Sequence, residues 1–314
     1  MNDDPVPSSR APRATPPAPS FSIIVPTWNR PRQLRACLEA LAGLEYPAAR
    51  FEVIMVDDGS EPPLDAADFD RLDGRVTWLR QPNAGPAAAR NAGAAKAQGE
   101  YLAFTDDDCT PDPGWLQGFA RAFERAPRAL VGGCTANALP DNIYATASQV
   151  IVEAARAYFL AMHSEFQFFA SNNLALPADL FRTIGGFDPS FRTSEDRDLC
   201  DRWVREGRRL VYAPDAVIHH RHELTLAGFW RQHFGYGRGA CRFHRARARR
   251  GAGPFRPEFS FYRNVFGHLF VRARDRRTVS LTALFLLWQV ANAAGFLWQG
   301  CRRETAKVKA MPPR

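Results

Sequence analysis

Short β-rich runs alternate with helical stretches over the first half of this 314-residue chain. Between Phe21 and about Asn137 the β-rich runs are FSIIVP, FEVIMVDD, VTWLRQ, YLAFTDDD and ALVGGCTAN. The segments between them have apolar residues at helical spacing: RPRQLRACLEALAGL, the shorter PPLDAADFDRL, GPAAARNAGAAKAQG and PGWLQGFARAFERA. This alternation predicts an α/β fold with a mostly parallel sheet that is sandwiched by helices.

A second segment, roughly 138–240, extends this pattern. It contains a long helical pattern near residues 143–162 and an apolar, strand-like run, FFASNNLALP. The stretch SEDRDLCDRW predicts a helix whose first turn carries acidic side chains, where they interact favourably with the helix dipole. The run RLVYAP predicts one more strand, and it is followed by VIHHRHELTLAGFWRQHFGYGRG.

Three consecutive carboxylates, Asp106, Asp107 and Asp108, directly follow the apolar run YLAFT. Like charges this close repel each other, so a folded chain keeps them only where water, partners or a cation offset the cost. Oxygen ligands suit Mg²⁺ or Mn²⁺, and one or two carboxylates suffice when substrate phosphates and water supply the other ligands. A polar turn with an Asp as helix cap is the alternative interpretation. We expect a divalent cation at this strand end.

A second acid pair, Asp57 and Asp58, ends the strand in VDDGS. Taken alone, Asp-Gly is typical of an ordinary strand-to-turn exit. The first predicted strand ends in VPTWNRP, and ligands of such sheets bind beyond the carboxyl ends of the strands. Thr27, Asn29 and Asp57 are therefore predicted to contact the hydrogen-bonding edge of a nucleobase, and both acid clusters are expected on one rim.

The formal charge of +8 is unevenly distributed along the chain. It is about −7 for residues 21–218, about +11 for 219–277 and about +4 for 302–314. This division predicts an acidic, metal-using body joined to a basic region that faces an anionic membrane surface or phosphate groups. Basic modules with aromatic spacing and zinc-finger spacings are absent, so we expect no nucleic acid partner.

The cysteine pattern and the amino-terminal segment bear on location. The six cysteines have no short paired spacing, and no amino-terminal signal peptide precedes the first predicted strand. We therefore expect the catalytic body in a reducing cytosol. Residues 1–20 are rich in Pro, Ala and Ser, which predicts a disordered tail.

Residues 279–301 contain no formal charge and would span about 34 Å as a helix, enough for a bilayer core. Polar residues such as Gln289 and Asn292 fall on one helical arc, which also fits a helix lying in the membrane interface. Arginine-rich flanks on both sides leave the orientation ambiguous. A buried helix of a soluble protein is the third option. The predicted segments are a basic, aromatic interfacial segment (241–277), a membrane helix, spanning or in-plane (278–301), and a basic tail (302–314).

Taken in order, the motifs resemble the inverting family 2 glycosyltransferases. That family has a GT-A fold, which is Rossmann-like, and transfers a sugar from a nucleotide diphosphate donor. The resemblance covers residues 21–240 and implies a membrane-associated bacterial-type member at the cytoplasmic face of the cell membrane. The matching motifs are SIIVPTWNRPRQLRACLEAL, VIMVDDGS, NAGPAAARNAGAAKAQGEYLAFTDDD, NNLALPADLFRTIGGFDPSF, SEDRDLCDRW and YAPDAVIHHRH.

The resemblance implies roles on the donor side. Asp106 and Asp108 match the DXD motif of the family, with Asp106 near the ribose and the cation and Asp108 as the direct metal ligand. Asp107 could substitute in either role, and the cation is Mg²⁺ or Mn²⁺. The other positions implied to bind the donor are Pro26, Thr27, Asn29, Asp57, Asp58 and Arg90.

The histidine run HHRH matches a place where many relatives supply a further ligand of the metal or phosphate. His220 is favoured for this role and His222 is second, while His219 stays open. A histidine at a surface is more often structural.

Asp196 matches the base that holds the attacking acceptor hydroxyl. The alternative interpretation makes it one of several acids, with Glu195, that favour the helix dipole. Asn173, Gly186, Glu195 and His222 are implied on the acceptor side.

Two other functions fit parts of the pattern. A sugar-phosphate nucleotidyltransferase would need a glycine-rich basic loop after the first strand, where PTWNRP stands instead. A membrane-attached protein that binds nucleotide sugars without turnover is the second alternative. The basic and terminal segments suggest an acceptor that is lipid-linked or close to the membrane.

Overall fold

One mixed sheet of eight strands forms the centre of the fold. The computed structural model describes residues 18–65, 67, 74–161, 168–253 and 276–302. The strands are β1 (Phe21–Thr27), β2 (Phe51–Asp57), β3 (Val76–Arg80), β4 (Tyr101–Thr105), β5 (Cys109–Pro111), β6 (Leu130–Asn137), β7 (Asn173–Pro177) and β8 (Leu210–His220). Their order across the sheet is β3-β2-β1-β4-β7-β6-β8-β5.

The sheet is parallel over the β-rich runs that alternate with helices. Strands β3, β2, β1 and β4 pair in parallel, and so do β6 and β8. Antiparallel pairing enters through β7, which lies between β4 and β6, and through β5, which pairs with β8. The predicted α/β class and mostly parallel sheet are confirmed.

Helices cover both faces of the sheet. The helices are α1 (Pro31–Ala42), α2 (Pro86–Ala94), α3 (Trp115–Arg125), α4 (Ile143–Ala161), α5 (Ala178–Thr183), α6 (Glu195–Arg205), α7 (Leu226–Arg249) and α8 (Arg276–Cys301). Alternate side chains of β1 enter different cores: Ile23 and Val25 pack with α1 and α3, and Ile24 packs with α2, α5 and α6. This alternation is the two-residue period of a strand that is buried on both sides.

A third apolar cluster joins the last helix to the fold. Leu284, Phe285 and Trp288 of α8 pack with Ile151 of α4 and Phe229 of α7. The backbones of α7 and α8 also touch, because a Cβ added at Gly237 or Gly295 would collide with the backbone of the facing helix. Helix α8 is therefore a packed part of the structure along one side.

The opposite side of α8 is apolar and exposed. Val279, Leu286, Val290 and Leu297 are all exposed and recur at spacings of four and seven residues. Among the described helices, α8 alone is long and apolar enough to cross a membrane, over Thr278–Cys301. A membrane helix requires an apolar outer surface, and α8 has one. A buried helix requires packing against the rest of the protein, and α8 has this on its other side.

Several sequence-based boundaries change. The strand predicted as RLVYAP continues to His220, and the short strand β5 was not predicted. Residues 18–20 of the predicted disordered tail are held in place, since the carbonyl oxygen of Pro19 accepts a hydrogen bond from Tyr46.

Other predictions fall partly outside the described residues. These are the tail up to residue 17, most of the helix predicted from PPLDAADFDRL, residues 254–275 of the interfacial segment and the tail from residue 303. Residues 241–249 of the predicted interfacial segment form the end of α7, and their contact with a membrane interface stays a prediction. All six cysteines are free.

Candidate active site

Strand register places the predicted donor residues in one row. Thr27 of β1 lies opposite Asp57 of β2, and Ile24 lies opposite Phe104 of β4. Continuing that register three residues brings Thr27 level with Asp107, and the Thr27 hydroxyl donates a hydrogen bond to the Asp107 carboxylate over 2.8 Å. Both acid clusters therefore lie on one rim, as predicted.

Arg30, which directly precedes α1, neutralises part of the acid cluster. Its guanidinium lies 3.1 Å from Asp107 and 2.9 Å from Asp108. Burial raises the pKa of Asp107 to about 6, although Arg30 and the Thr27 hydroxyl oppose this shift. Burial would also raise the pKa of Asp108, but the hydrogen bond and charge of His220, together with Arg30, hold it at about 2. Neighbouring aspartates thus have very different acidities.

His220 is the histidine that meets the acid cluster. The antiparallel pairing of β5 and β8 sets Cys109 opposite His220, and this places the imidazole 3.2 Å from Asp108. Burial lowers the pKa of His220, but Asp108 outweighs it and the net shift is upward. His219 bonds to Asp112 instead, at 2.8 Å. His222 stacks on His220, with ring centroids 4.7 Å apart, and burial and the charge of His220 lower its pKa to about 4.

The residues at this point fit a hard divalent cation. The ligand atoms of Asp108, Cys109 and His220 lie within 4.8 Å of one another. Burial raises the pKa of the Cys109 thiol well above its usual value, so the thiol stays protonated and is a poor ligand. Carboxylate and imidazole remain, and carboxylate oxygen suits Mg²⁺ or Mn²⁺.

Arg90 connects the donor acids to the segment that begins α6. Its guanidinium contacts Asp106 at 2.5 Å and Glu195 at 2.9 Å, and its Nε has no partner among the described residues. Burial and the charge of Asp196 raise the pKa of Glu195 to about 6, with Arg90 opposing the shift. One buried cation therefore spans the two halves of the predicted site.

The remaining donor-side predictions divide into lining and supporting positions. Pro26, Thr27 and Asp58 line the main cavity. Asp58 accepts hydrogen bonds from the backbone of Ala84 and Gly85 and so fixes the loop before α2. Asp57 and Asn29 are not among the lining residues. Asp57 accepts hydrogen bonds from the backbone of Ser60 and from Arg80, and Asn29 accepts one from the backbone of Glu61.

Asp196 lies in the first turn of α6 and lines the same cavity. Its carboxylate accepts a hydrogen bond from the backbone N–H of Arg197 over 2.8 Å. Burial raises its pKa, while Arg197 and Arg90 act in the opposite direction. The position of Ser194 is left-handed, with φ of 70°, so the chain turns sharply just before the helix.

Helix α7 fixes the segment that carries Asp196. The Thr193 hydroxyl donates to the carbonyl of Gly235, and Arg250, just beyond α7, contacts both Asp198 and Asp201 of α6 at 2.8 and 2.9 Å. Arg247 adds a buried contact to Asp201 at 2.7 Å. Because these acids lie on the same helix as Asp196, the ion pairs orient the predicted base.

Two acceptor-side predictions lie in structural positions. Asn173 is buried in the sheet, where it accepts from the indole of Trp115 and donates to the carbonyls of Cys134 and Ala216. Gly186 occupies a left-handed turn with φ of 67°, and its carbonyl accepts from Arg202. Their predicted contacts with the acceptor stay predictions.

A single cavity of about 1130 Å³ joins these groups. It extends from Thr27, Asp106 and Asp107 past Asp196 to Trp288 and Phe296 of α8. Sequence reasoning missed several lining residues on the way: Trp28, Arg30, Arg192 and Tyr236. Trp28 and Arg30 lie inside the motif VPTWNRP and could have been found there, and Arg192 lies two residues before SEDRDLCDRW. For Tyr236 the fold, through α7, brings the side chain to the cavity.

The chain also matches a known family model. Residues 22–186, more than half of the chain, match the model described as Glycosyl transferase family 2. The chain belongs to glycosyltransferase family 2. The family expected from the motifs is therefore confirmed.

Relatives with curated names extend this finding. The pre-mycofactocin glycosyltransferase of Mycobacterium tuberculosis is 31% identical over 225 residues, which cover 70% of this chain and 46% of the relative. This chain thus spans about half the length of that relative. The glucosyl-dolichyl phosphate glucuronosyltransferase of Haloferax volcanii is 24% identical over 218 residues, covering 64% of this chain and 68% of the relative.

A solved structure has the same fold. The mannosyltransferase of Pyrobaculum calidifontis, solved in complex with GDP-Man and Mn²⁺, is similar with a TM-score of 0.60 and 18% sequence identity. The likeness covers 90% of this chain and 88% of the other. The sheet and its helices are thus the GT-A fold that the motifs implied, here with a carboxyl-terminal apolar helix.

Proposed function

We propose that this chain transfers a sugar from a nucleotide diphosphate sugar to an acceptor hydroxyl, with inversion at the anomeric carbon and with a divalent cation. The observation that carries the proposal is the single cavity that connects the acid cluster after β4 to Asp196 at the start of α6. Family membership supports sugar transfer, and the geometry supplies a donor end and a base end.

The donor binds at the acid end in this proposal. Thr27 and Asp58 lie at the ends of neighbouring strands, which suits a nucleoside. The exposed indole of Trp28 adds an aromatic surface beside them. Arg192 lies over Gly85 at the start of α2, and a helix start with a nearby cation suits a diphosphate.

Asp108 and His220, with Asp106 beside them, would hold the cation. The bound cation would stabilise negative charge on the leaving diphosphate. The mannosyltransferase with the same fold was solved with Mn²⁺, which supports a divalent cation here without choosing between Mn²⁺ and Mg²⁺.

Asp196 acts as the base. The acceptor oxygen forms a bond to the anomeric carbon while the bond from that carbon to the diphosphate oxygen breaks. The electron pair of the broken bond leaves with the nucleoside diphosphate, and the hydroxyl proton passes to the Asp196 carboxylate. Attack opposite to the leaving group inverts the configuration, and the ion pairs of Asp198 and Asp201 hold the base in position for it.

In this proposal the protein binds its acceptor at the cytoplasmic face of a membrane. The exposed apolar stripe of α8 gives the chain a side that suits lipid. At the end of α8, Trp298 is covered by the guanidinium groups of Arg238 and Arg302, at 4.4 and 4.0 Å from the ring centre. Such a basic and aromatic edge suits an anionic interface. A relative named for a dolichyl phosphate substrate supports a lipid-linked acceptor.

The proposal is tested with the full chain, Mn²⁺ and a panel of UDP-, GDP- and dTDP-sugars. We expect one donor to raise the melting temperature only when Mn²⁺ is present, because a ligand of the folded state stabilises it by mass action. The same donor should be consumed, and Asp196→Asn should lower consumption by about 10²–10⁴-fold while keeping the thermal shift.

Asp215→Asn is the matched control, since Asp215 is an exposed acid paired with Arg121 far from the cavity. Donor binding without consumption in wild type would favour a non-catalytic protein. Formation of a nucleotide sugar from a sugar phosphate and a nucleoside triphosphate would favour a nucleotidyltransferase. Either result overturns the proposal.

A further inference from the structure

The cavity is larger than one ligand requires. Pockets for a single small molecule typically measure about 300–1,000 Å³, and this one measures about 1130 Å³. Beyond Asp196 its wall is formed by α4, α7 and α8, and we call this part the helical half. Its lining residues are Ile151, Val152, Ala155, His233, Tyr236, Gly237, Ala240, Phe243, His244, Trp288, Gln289, Asn292, Ala293, Phe296 and Leu297.

The helical half carries no formal charge on its described lining residues. It contains neither Asp nor Glu and neither Lys nor Arg. Burial lowers the pKa of both His233 and His244 to about 4, so both imidazoles are neutral near neutral pH. Charge enters this part of the cavity from α6, where Arg197 and Asp201 also line the wall. Asp201 is paired with Arg247 and Arg250. The three helices thus offer a ligand an apolar wall with a charged edge on α6.

Polar atoms in this apolar wall lack partners. His233 is 2% exposed and bonds to Ser148 through Nε2, but its Nδ1 has no partner among the described residues. The same holds for the amide nitrogen of Gln289 and for the amide oxygen of Asn172, which lines the cavity near Asp196. Buried polar atoms without partners are costly, so such a set points to a ligand with hydrogen-bonding groups.

Tyr236 connects the helical half to the predicted base. Its hydroxyl accepts a hydrogen bond from Gln232 over 2.9 Å, which leaves its own proton for another acceptor. The side chain is 40% exposed, but local desolvation of the hydroxyl and the charges of Asp196, Glu195 and Asp106 raise the pKa of Tyr236. The phenol thus stays protonated and lies within electrostatic reach of Asp196.

We propose that the helical half is the acceptor site and that it takes an amphipathic alcohol. The reacting hydroxyl lies at Asp196, neighbouring oxygens pair with Tyr236 and Gln289, and an aromatic or alkyl group packs against Trp288 and Phe296. This inference rests on the proposed function. Helix α8 then has a second role, because its inner side selects the acceptor.

The test uses the full chain and two probes that differ only in their apolar group. Benzyl β-D-glucopyranoside and methyl β-D-glucopyranoside are titrated by calorimetry. We expect the benzyl glucoside to bind at least about tenfold more tightly than the methyl glucoside, since burying the ring removes apolar area from water.

Three variants locate the binding. Ala240→Trp fills the helical half from α7 and should remove the preference for the benzyl group. Val290→Trp adds the same side chain on the outer stripe of α8 and should leave the preference intact. Tyr236→Phe keeps the ring and should weaken the benzyl glucoside about fivefold through the lost hydrogen bond.

The outcomes are separable from those of the proposed function. Donor consumption is measured in the same preparations, and its absence counts against the proposed function alone. Equal affinity for the two glucosides, or a benzyl preference that survives in Ala240→Trp, would overturn the acceptor inference.

Discussion

The two halves of the cavity are built in different ways. The donor half is the part of the cavity beside the ends of β1, β2 and β4. There each acid that follows β4 has a cationic partner: Asp106 has Arg90, Asp107 has Arg30, and Asp108 has Arg30 and His220. In the helical half the polar atoms of His233 and Gln289 have no partners among the described residues, and most of the lining is apolar. The chain itself thus neutralises the acids of the donor half, whereas it leaves buried polar atoms of the helical half without partners among the described residues.

The difference follows from how each half is positioned. Parallel register aligns the ends of β1, β2 and β4, so residues that follow those strands meet without any long-range adjustment. The helical half depends instead on three helices from the second part of the chain, which meet through side-chain packing and close backbone contact. Rigid strand ends suit a donor site that is common to related enzymes. Packing between helices can change from one enzyme to another, so it suits a site that selects different acceptors.

The largest expected effect tests the donor half. His220→Ala should weaken Mn²⁺ binding by about 10–100-fold or more, since even residues that only support a metal ligand have effects of that size. His219→Ala is the matched control: this neighbour bonds to Asp112 and should change Mn²⁺ affinity by less than about twofold. Both affinities are measured by calorimetry or by Mn²⁺ electron paramagnetic resonance. A larger loss in His219→Ala would place the cation elsewhere.

The next effect tests the helical half. Gly295→Ala should destabilise the protein by about 1–3 kcal/mol, because the new methyl group meets the backbone of Phe234 in α7 and overpacks the contact. Gly300→Ala lies on the same helix with open space around the new Cβ, and should be neutral or stabilising by up to about 1 kcal/mol. Chemical unfolding measures both. Equal destabilisation of the two would show that α7 and α8 do not pack as described.

The smallest effect tests the junction between the halves. Asp196 acts as a base only when ionised, so activity should fall as the pH drops through its pKa, which burial raises. The acidic limb of kcat/KM for the acceptor should therefore lie above about 3.9, the value of an unperturbed Asp. Arg197→Met should move the limb upward because the Arg197 charge lowers this pKa. Arg121→Met is the distant control. A limb that moves downward in Arg197→Met contradicts the assignment.

The donor half was largely predictable from the sequence. VPTWNRP, VDDGS and TDDD each end a strand, and strand ends on one edge of a parallel sheet must meet. His220 was favoured over its neighbours only by resemblance. The physical reason for its position is the pairing of Cys109 with His220, and this pairing requires β5, a three-residue strand too short to recognise in sequence.

The helical half was not predictable in the same way. The apolar run 279–301 indicated a helix, but its period could not separate a lipid-facing side from a side that packs on α7. Tyr236 and Arg192 reach the cavity through tertiary packing, although Arg192 stands between the motifs NNLALPADLFRTIGGFDPSF and SEDRDLCDRW. For Asn173 the structure shows what the sequence could not: its side chain satisfies three groups in the core, and its predicted contact with the acceptor stays a prediction.

Arg30 gives the acid cluster an internal counter-ion. Its side chain is half exposed and adjoins the start of α1, so it can leave the aspartates without disturbing a packed core. We therefore expect arrival of a divalent ion to be an exchange, in which a guanidinium departs as the metal enters. Binding of the metal would then change the protein surface, because Arg30, which adjoins the first turn of α1, would move away from the aspartates into solvent.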